Sequence, residues 1–220
     1  MMFKDRFEAG RSLASKLQEF ANQDDVAVLA LPRGGVPVGY EVAKALRAPL
    51  DVFVVRKLGV PGQEELAMGA LASGGIVVLN RNIIEALGIS QEMIDAAVAR
   101  EQRELERRER EYRDGRPPID VQGSTVILVD DGLATGSSMR VAATALRKKL
   151  PARIVVAVPV AAPSTCAAFE NEVDKVICAA TPEPFWAVGV WYRDFSQTTD
   201  EEVRELLRRA AEELQSPSAA

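Results

Sequence analysis

An α/β protein with a mostly parallel central sheet flanked by helices is the fold class this 220-residue chain predicts. Three observations carry that expectation. Apolar runs without polar alternation stand at 26–31, 125–129 and 153–160, as strands covered on both faces require. Segments with helical spacing of apolar residues separate them, and the repeated strand-helix order calls for right-handed crossover connections. With 47 % hydrophobic residues and no linker-like stretch, one domain over 1–220 is expected, carrying a flexible loop at 59–74 and a carboxyl-terminal hood or packing segment at 184–214.

Taken in order, Phe3, Phe7, Leu13, Leu17 and Phe20 share one face of a helix within 3–20. VAVLAL, 26–31, is the first buried strand. Pro37 suits the first turn of a helix running to Leu46, which Pro49 ends. DVFVV, 51–55, is a second strand. The segment 57–74 holds four glycines and one proline, so a mobile loop with room for a small hairpin is expected before the short strand 75–79. Asn80 or Asn82 can cap a short helix, and Ser90 starts a longer one.

From Arg100 to Arg116 seven arginines face six acids, with i,i+4 pairs Glu104/Arg108, Glu106/Arg110 and Glu109/Arg113. These alternating signs predict an exposed, self-complementary helix rather than a nucleic-acid arm, with an oligomer contact as the lesser alternative. GRPP, 115–118, breaks it. The strand 125–129, a helix to about Leu150, the strand 153–160, a short helix after Pro163, a strand at 173–179 and a last helix at 200–214 complete the pattern, with PSAA expected to fray.

Composition removes several chemistries. The chain has no histidine, so Ser-His-Asp and Cys-His catalysis, histidine bases and histidine metal ligands are unavailable within it. A net charge of −5 and a sequence pI near 5.1 disfavour binding along a nucleic-acid backbone. Cys166 and Cys178 form no CxxC pair and read as two inert, partly buried cysteines. The opening MMFKDRFEAG is charged before any apolar run, unlike a secretory signal, and no run of about 18 apolar residues occurs. A soluble, cytoplasmic protein with no membrane partner is the expectation.

The most informative segment is VILVDDGLATGSSM, 126–139. A strand runs into two acids, two glycines and three hydroxyl residues before a helix, the place where open α/β sheets hold ligands. Backbone N–H groups at that helix start can surround a phosphate, Thr135, Ser137 and Ser138 can add donors, and Gly132 and Gly136 allow close approach. An ordinary capped loop has the same composition. Asp130 and Asp131 would repel phosphate, so their chemistry is to accept hydrogen bonds from sugar hydroxyls or to organise Mg²⁺, directly or through water, unless they merely decorate the loop.

These residues resemble the phosphoribosyl pyrophosphate motif of type I phosphoribosyltransferases: a hydrophobic strand, Asp-Asp, a spacer, Thr-Gly, then small or hydroxyl residues. The motif lacks the GK[ST] of the Walker loop and the GxGxxG dinucleotide pattern. The resemblance runs in pattern from about residue 23 to 180 and includes LPRGG. It implies a type I phosphoribosyltransferase-like sheet, with Asp130 and Asp131 on the ribose hydroxyls or on Mg²⁺. Gly132, Ala134, Thr135, Gly136, Ser137 and Ser138 would then cradle the 5-phosphate.

LPRGGVPVG, 31–39, places a cation and adjacent glycines after a strand. Arg33 can meet phosphate oxygens and Gly34 and Gly35 let donors approach, although a plain turn fits too. By resemblance this loop holds pyrophosphate, often through a cis peptide, with Arg33 and Gly34 as the matching residues. Arg56 and Lys57, at another strand end, read alone as a solvated edge; by resemblance one of them neutralises pyrophosphate, with Lys57 slightly favoured. The segment 59–74 resembles the catalytic loop that closes over the donor. Here it departs from the family, because no Lys or Arg follows Lys57 before Arg81, and Glu64 and Glu65 make it acidic.

The resemblance implies Mg²⁺-dependent transfer of a phosphoribosyl group from phosphoribosyl pyrophosphate to a nucleobase-like nitrogen acceptor, with Arg33, Lys57, Asp130 and Asp131 closest to the chemistry and pyrophosphate as product. The alternative is a noncatalytic sensor that binds the same donor. Trp186, Trp191, Tyr192 and Phe195 could pack the last helix or stack on an acceptor, Tyr192 being the weak candidate. The family often dimerises, so a homodimer is an option that no segment of the sequence locates; nucleic acid is disfavoured.

Overall fold

The structure is a computed structural model that describes residues 2–215. The chain opens with α1 (Arg6–Ala14) and a 3-10 turn at Gln18–Phe20, then β1 (Val26–Ala30), α2 (Gly35–Leu46), β2 (Leu50–Val52), β3 (Val55–Val60), β4 (Gln63–Ala72) and β5 (Ile76–Leu79). There follow α3 (Arg81–Leu87), α4 (Gln91–Arg113), β6 (Thr125–Val129), α5 (Ser137–Arg147), β7 (Arg153–Val160), α6 (Pro163–Phe169) and β8 (Lys175–Ala180). A 3-10 turn at Val188–Trp191 precedes α7 (Asp200–Gln215).

Five strands form a parallel sheet in the order β2-β1-β6-β7-β8, and β3-β4-β5 form a separate antiparallel one. The continuous apolar strands have the predicted cause. Val28, Ile127 and Val155 pack on one face against Leu13, Val42 and Leu46, while Leu29, Leu128 and Val156 pack on the other against Leu146 and Met139. Because both faces are covered, neither parity of the strand can be polar, and each such side chain is worth about 1.5–3 kcal/mol of burial. The frayed tail expected at PSAA lies outside the described residues.

Several expectations change. The helix expected within 3–20 stops at Ala14, and Phe3 instead pairs as an extended residue with Tyr192. The strand expected over 51–55 is only β2, because Phe53 still bonds Ala30 while the Val54 N–H is taken by the Ser73 hydroxyl at 2.8 Å and the chain leaves the main sheet. The 57–74 segment builds the β3-β4 hairpin over nearly its whole length. Its Gly59 faces the Glu64 backbone so closely that a Cβ would lie 2.6 Å from the Glu64 carbonyl oxygen, which is why a glycine sits beside the register shift.

The helix expected to be wholly solvated is not. Arg113 on α4 is buried against Asp51 at 2.9 Å, and Glu101 is buried against Arg56 at 2.7 Å. Glu104/Arg108 and Glu109/Arg113 do pair as predicted, at 2.8 and 3.3 Å. The two cysteines are partly buried, and they are joined: Cys166 on α6 and Cys178 on β8 form a disulfide with Cα atoms 6.6 Å apart. Twelve residues of separation concealed that the helix folds back onto its own following strand.

Candidate functional site

The site begins as a consequence of strand order. β1 and β6 are neighbours in register from Val26/Thr125 to Ala30/Val129, and the Leu31 N–H extends the ladder to the Val129 carbonyl at 2.9 Å. The loops that leave their carboxyl ends are therefore held side by side. A Cβ on Gly34 would fall 2.1 Å from Asp131 Oδ2, and one on Gly35 would fall 2.8 Å from the Val129 carbonyl and 3.0 Å from the Asp130 Cα. LPRGG and the Asp-Asp turn thus touch through positions where only glycine fits. The Pro32–Arg33 peptide bond is cis.

The acidic pair is sunk into this contact. The Asp131 N–H donates to Asp130 Oδ1 at 2.8 Å, Arg6 Nε donates to Asp131 Oδ2 at 2.9 Å, and the Tyr192 hydroxyl donates to the Asp131 carbonyl at 2.5 Å. Burial, then the neighbouring Asp131 charge, pushes the Asp130 carboxyl well above the ordinary carboxylate range. Burial also raises Asp131, partly offset by Arg6. Burial and the Asp131 charge likewise raise the Tyr192 phenol. Arg6 bonds Asp131 directly, so of these two adjacent desolvated carboxyls Asp130 is the one held well above its ordinary range.

On the other side of the turn, the Leu133 N–H is tied to Val160 and the Ala134 carbonyl accepts from the Thr165 hydroxyl at 2.6 Å, so the main sheet and α6 fix the loop from below. Gly136 has φ 73° and lies against Phe169 and Thr165, which a Cβ would meet at 2.6 and 3.1 Å. The loop's upper side is open: Ala134, Thr135, Ser137 and Ser138 are exposed, and the Thr135 and Ser137 hydroxyls are 3.1 Å apart. Among the described residues, no backbone N–H from Thr135 to Ser138 bonds to another element. At the start of the 11-residue α5, these amides are unpaired helix-start donors of the kind that attract an anion.

The candidate cations are placed unequally. Arg33, next to Gly34, has its guanidinium 3.9 Å from Asp200, whose carboxylate also accepts from the Tyr112 hydroxyl at 2.6 Å. Arg56 is bound to Glu101 of α4. Although burial alone would raise Glu101, hydrogen bonds from Arg56 and Arg100 hold its carboxyl below the usual range. Lys57 points elsewhere, 3.2 Å from Glu65 across the hairpin. So Gly34 and Gly35 meet Asp130 and Asp131 at the start of the 132–138 turn, while the Arg33 guanidinium is turned toward Asp200; among the described residues no contact joins Arg33, Arg56 or Lys57 to the acidic pair.

Arg6 is the residue that sequence reasoning missed. It lies 125 positions from Asp131, and the Phe3/Phe7 spacing drew attention to the apolar face of its helix. Of the aromatic residues, Tyr192 is buried against Phe3, Phe185 stacks on Trp191 with centroids 6.4 Å apart, and Trp186 is 79 % exposed. Packing and an open aromatic surface therefore coexist in this segment. Among the described residues there is no group of three or more potential metal ligands, and no helix is long and apolar enough to cross a membrane.

A parallel five-stranded sheet with two glycine-bearing loops and an acidic pair at its carboxyl edge defines the type I phosphoribosyltransferase class. Residues 3–193 match the model of the phosphoribosyl transferase domain, and the chain belongs to that family. It is 46 % identical over 209 residues to two proteins from strains of Mycobacterium tuberculosis, each bearing the name "Putative phosphoribosyl transferase". The match covers 95 % of this chain and 47 % of theirs, so the chain spans about half the length of those relatives. The crystal structure of TT1426 from Thermus thermophilus matches with a TM-score of 0.82 and 41 % identity, over 95 % of this chain and 99 % of that one. A hypothetical protein from Neisseria gonorrhoeae with bound ppGpp, at 14 % identity and TM-score 0.50 over 95 % and 98 % of the two chains, shares the fold.

Proposed function

We propose that this chain transfers a 5-phosphoribosyl group from phosphoribosyl pyrophosphate to a nucleobase or related nitrogen acceptor, releasing pyrophosphate. The observation that supports the reading is the close approach of Gly34 to the Asp131 carboxylate, because a donor that spans a pyrophosphate loop and a sugar-phosphate loop requires those two loops side by side. In this reading Asp130 and Asp131 meet the ribose hydroxyls. The turn from Gly132 through Ser138, including Ala134, Thr135, Gly136 and Ser137, holds the 5-phosphate by backbone and hydroxyl donors. Arg33 and the Gly34 backbone face the pyrophosphate, where charge grows as the C1–O bond breaks.

Mg²⁺ fits the donor set in a limited way. A desolvated carboxyl pair gains from a nearby cation, yet Asp131 Oδ2 is already engaged by Arg6. The pair can therefore offer only one or two oxygens, which suits an ion that keeps waters and takes its other ligands from substrate phosphates. When bound, it would neutralise the leaving pyrophosphate.

Two ion pairs decide which further cation can serve. Arg56–Glu101 is a close pair with a mostly buried carboxylate, whereas Lys57–Glu65 is exposed and screened by solvent. Lys57 is thus the cheaper to release toward a phosphate, and Arg56 is the structural one. The test is a screen of nucleobases with Mg²⁺ and phosphoribosyl pyrophosphate that follows pyrophosphate and nucleotide together. Acceptor-dependent formation of both supports transfer; tight donor binding with no turnover across a broad panel would replace it with the sensor reading.

A further inference from the structure

Arg6 belongs to neither glycine-bearing loop, yet it joins the Asp-Asp turn to the Phe195–Ser196 turn. Its Nε holds Asp131 Oδ2 at 2.9 Å, its Nη1 donates to the Ser196 carbonyl at 2.7 Å, and its guanidinium carbon lies 4.0 Å from the centre of the Phe195 ring. It is largely buried, with 11 % of its side chain exposed against 15 % for Asp131. The Tyr192 hydroxyl closes the same ring of contacts from above by donating to the Asp131 carbonyl, and Tyr192 and Phe195 have centroids 5.1 Å apart. One guanidinium therefore bridges a donor-side carboxylate and an aromatic segment that flanks the cleft.

The segment does not depend on Arg6 for its place. The Phe3 N–H bonds to the Trp191 carbonyl at 2.8 Å, and the N–H groups of Arg193 and Asp194 bond to the carbonyls of Phe3 and Lys4 at 2.8 and 2.9 Å. That backbone ladder anchors 191–194 to the start of the chain. What Arg6 adds is a link beyond the anchor, at Phe195 and Ser196, to one of the two carboxyl groups that a sugar would meet. Asp131 Oδ1 has no side-chain partner among the described residues, so a hydroxyl can bind there while Oδ2 keeps its bond to Arg6. Any shift of that carboxylate is handed through a rigid planar fork to the aromatic turn.

We propose that Arg6 is a positioning residue that couples Asp131 to the 185–196 aromatic segment, so that occupation of the ribose side of the cleft is transmitted to the surface an acceptor would meet. This rests on the donor reading above. It assigns Arg6 no contact with substrate; Arg6 acts through Asp131 on one side and through Phe195 and Ser196 on the other.

The chain supplies its own reporter, since both of its tryptophans, Trp186 and Trp191, lie in this segment. Titration of the native protein with phosphoribosyl pyrophosphate and Mg²⁺, without acceptor, should change tryptophan emission in step with binding measured by calorimetry. Arg6→Met should weaken donor binding roughly tenfold or more, the loss expected for a charge-assisted bond whose buried acceptor is left behind, and should abolish the emission change at saturating donor. Arg6→Lys restores the charge beside Asp131 but not the fork, so affinity should return to within about threefold of native while the emission change stays below half of the native amplitude.

Unchanged donor affinity or a full emission response in Arg6→Met would overturn the coupling. Should that variant not fold, a native-sized response in Arg6→Lys would overturn it equally. A native protein that binds no donor would instead overturn the functional reading, and this inference with it, so the two failures are told apart by the native arm alone.

Discussion

Replacing Gly34 by Ala adds one methyl group at the point where the two loops meet. Gly34 has φ −60° and ψ −31°, an ordinary right-handed conformation, so alanine meets no backbone penalty there and the whole effect is steric. The new Cβ would lie 2.1 Å from Asp131 Oδ2, 2.9 Å from its Cγ and 3.3 Å from Arg6 Nε. Asp131 can swing away, which gives up its bond to Arg6 at about 1.5–3 kcal/mol, or the loops can part, which as overpacking costs about 1–3 kcal/mol. The cheaper route wins, so a loss near 2 kcal/mol is expected, or about 4–8 °C in melting temperature for a chain of this size. Either route moves Asp131, so donor affinity should fall at least about tenfold.

Calorimetry of unfolding and of phosphoribosyl pyrophosphate binding measures both. A cycle with Asp131→Ala isolates the cause: once the carboxylate is gone, Gly34→Ala should cost almost nothing, leaving a coupling of more than about 1 kcal/mol. Equal penalties in the two backgrounds would refute the shared-cleft geometry.

Other perturbations probe other parts of the argument. The folded protein holds the Asp130 proton to higher pH than the unfolded chain does, so the native state binds more protons above the ordinary carboxylate range, and stability falls as pH rises through that window. Asp130→Asn should therefore raise the melting temperature at pH 8 but hardly at pH 4, while weakening donor binding; equal shifts at both pH values would contradict the buried-proton account. Reduction of Cys166–Cys178, or Cys166→Ser, opens a short loop and should cost about 2–3 kcal/mol, read as a lower melting temperature, with thiol titration before and after reduction confirming the bond. Arg113→Met strands the buried Asp51 carboxylate and should cost about 3–5 kcal/mol; denaturant unfolding should show much of that loss recovered when Asp51→Leu is added.

What could be read in advance follows from the range of the interactions involved. β6 and β7 were placed to the residue because both faces of each are buried, so the apolar run and the strand coincide. The Ser90 cap, and Asn80 as one of two candidates with Asn82, were legible because a cap bonds three residues on, to Met93 and Ile83. The hairpin was harder. Its β4 strand carries polar residues at its exposed start, and where it is buried Met68 and Leu71 are interspersed with glycine and alanines, so neither alternation nor a strongly apolar run marks it. The pairs that anchor α4 were hidden for another reason: Arg113 differs in no local way from the other arginines of that run, and only the arrival of Asp51 from β2 makes it structural.

The site divides along the same line, and the division bears on how it works. Each loop was visible because its own few residues carry its chemistry, and their meeting follows from β1 and β6 being neighbours. Arg6 was invisible because its partners lie 125 and 190 positions away. A buried carboxyl pair with no cation would repel itself strongly, and the pH response expected of Asp130 is the remainder after Arg6 has acted. The acidic motif is therefore not self-sufficient in this chain. A donor loop transplanted with Asp130 and Asp131 but without a cation in the position of Arg6 would lose the group that offsets burial at Asp131, and both acids would be raised further than they are here.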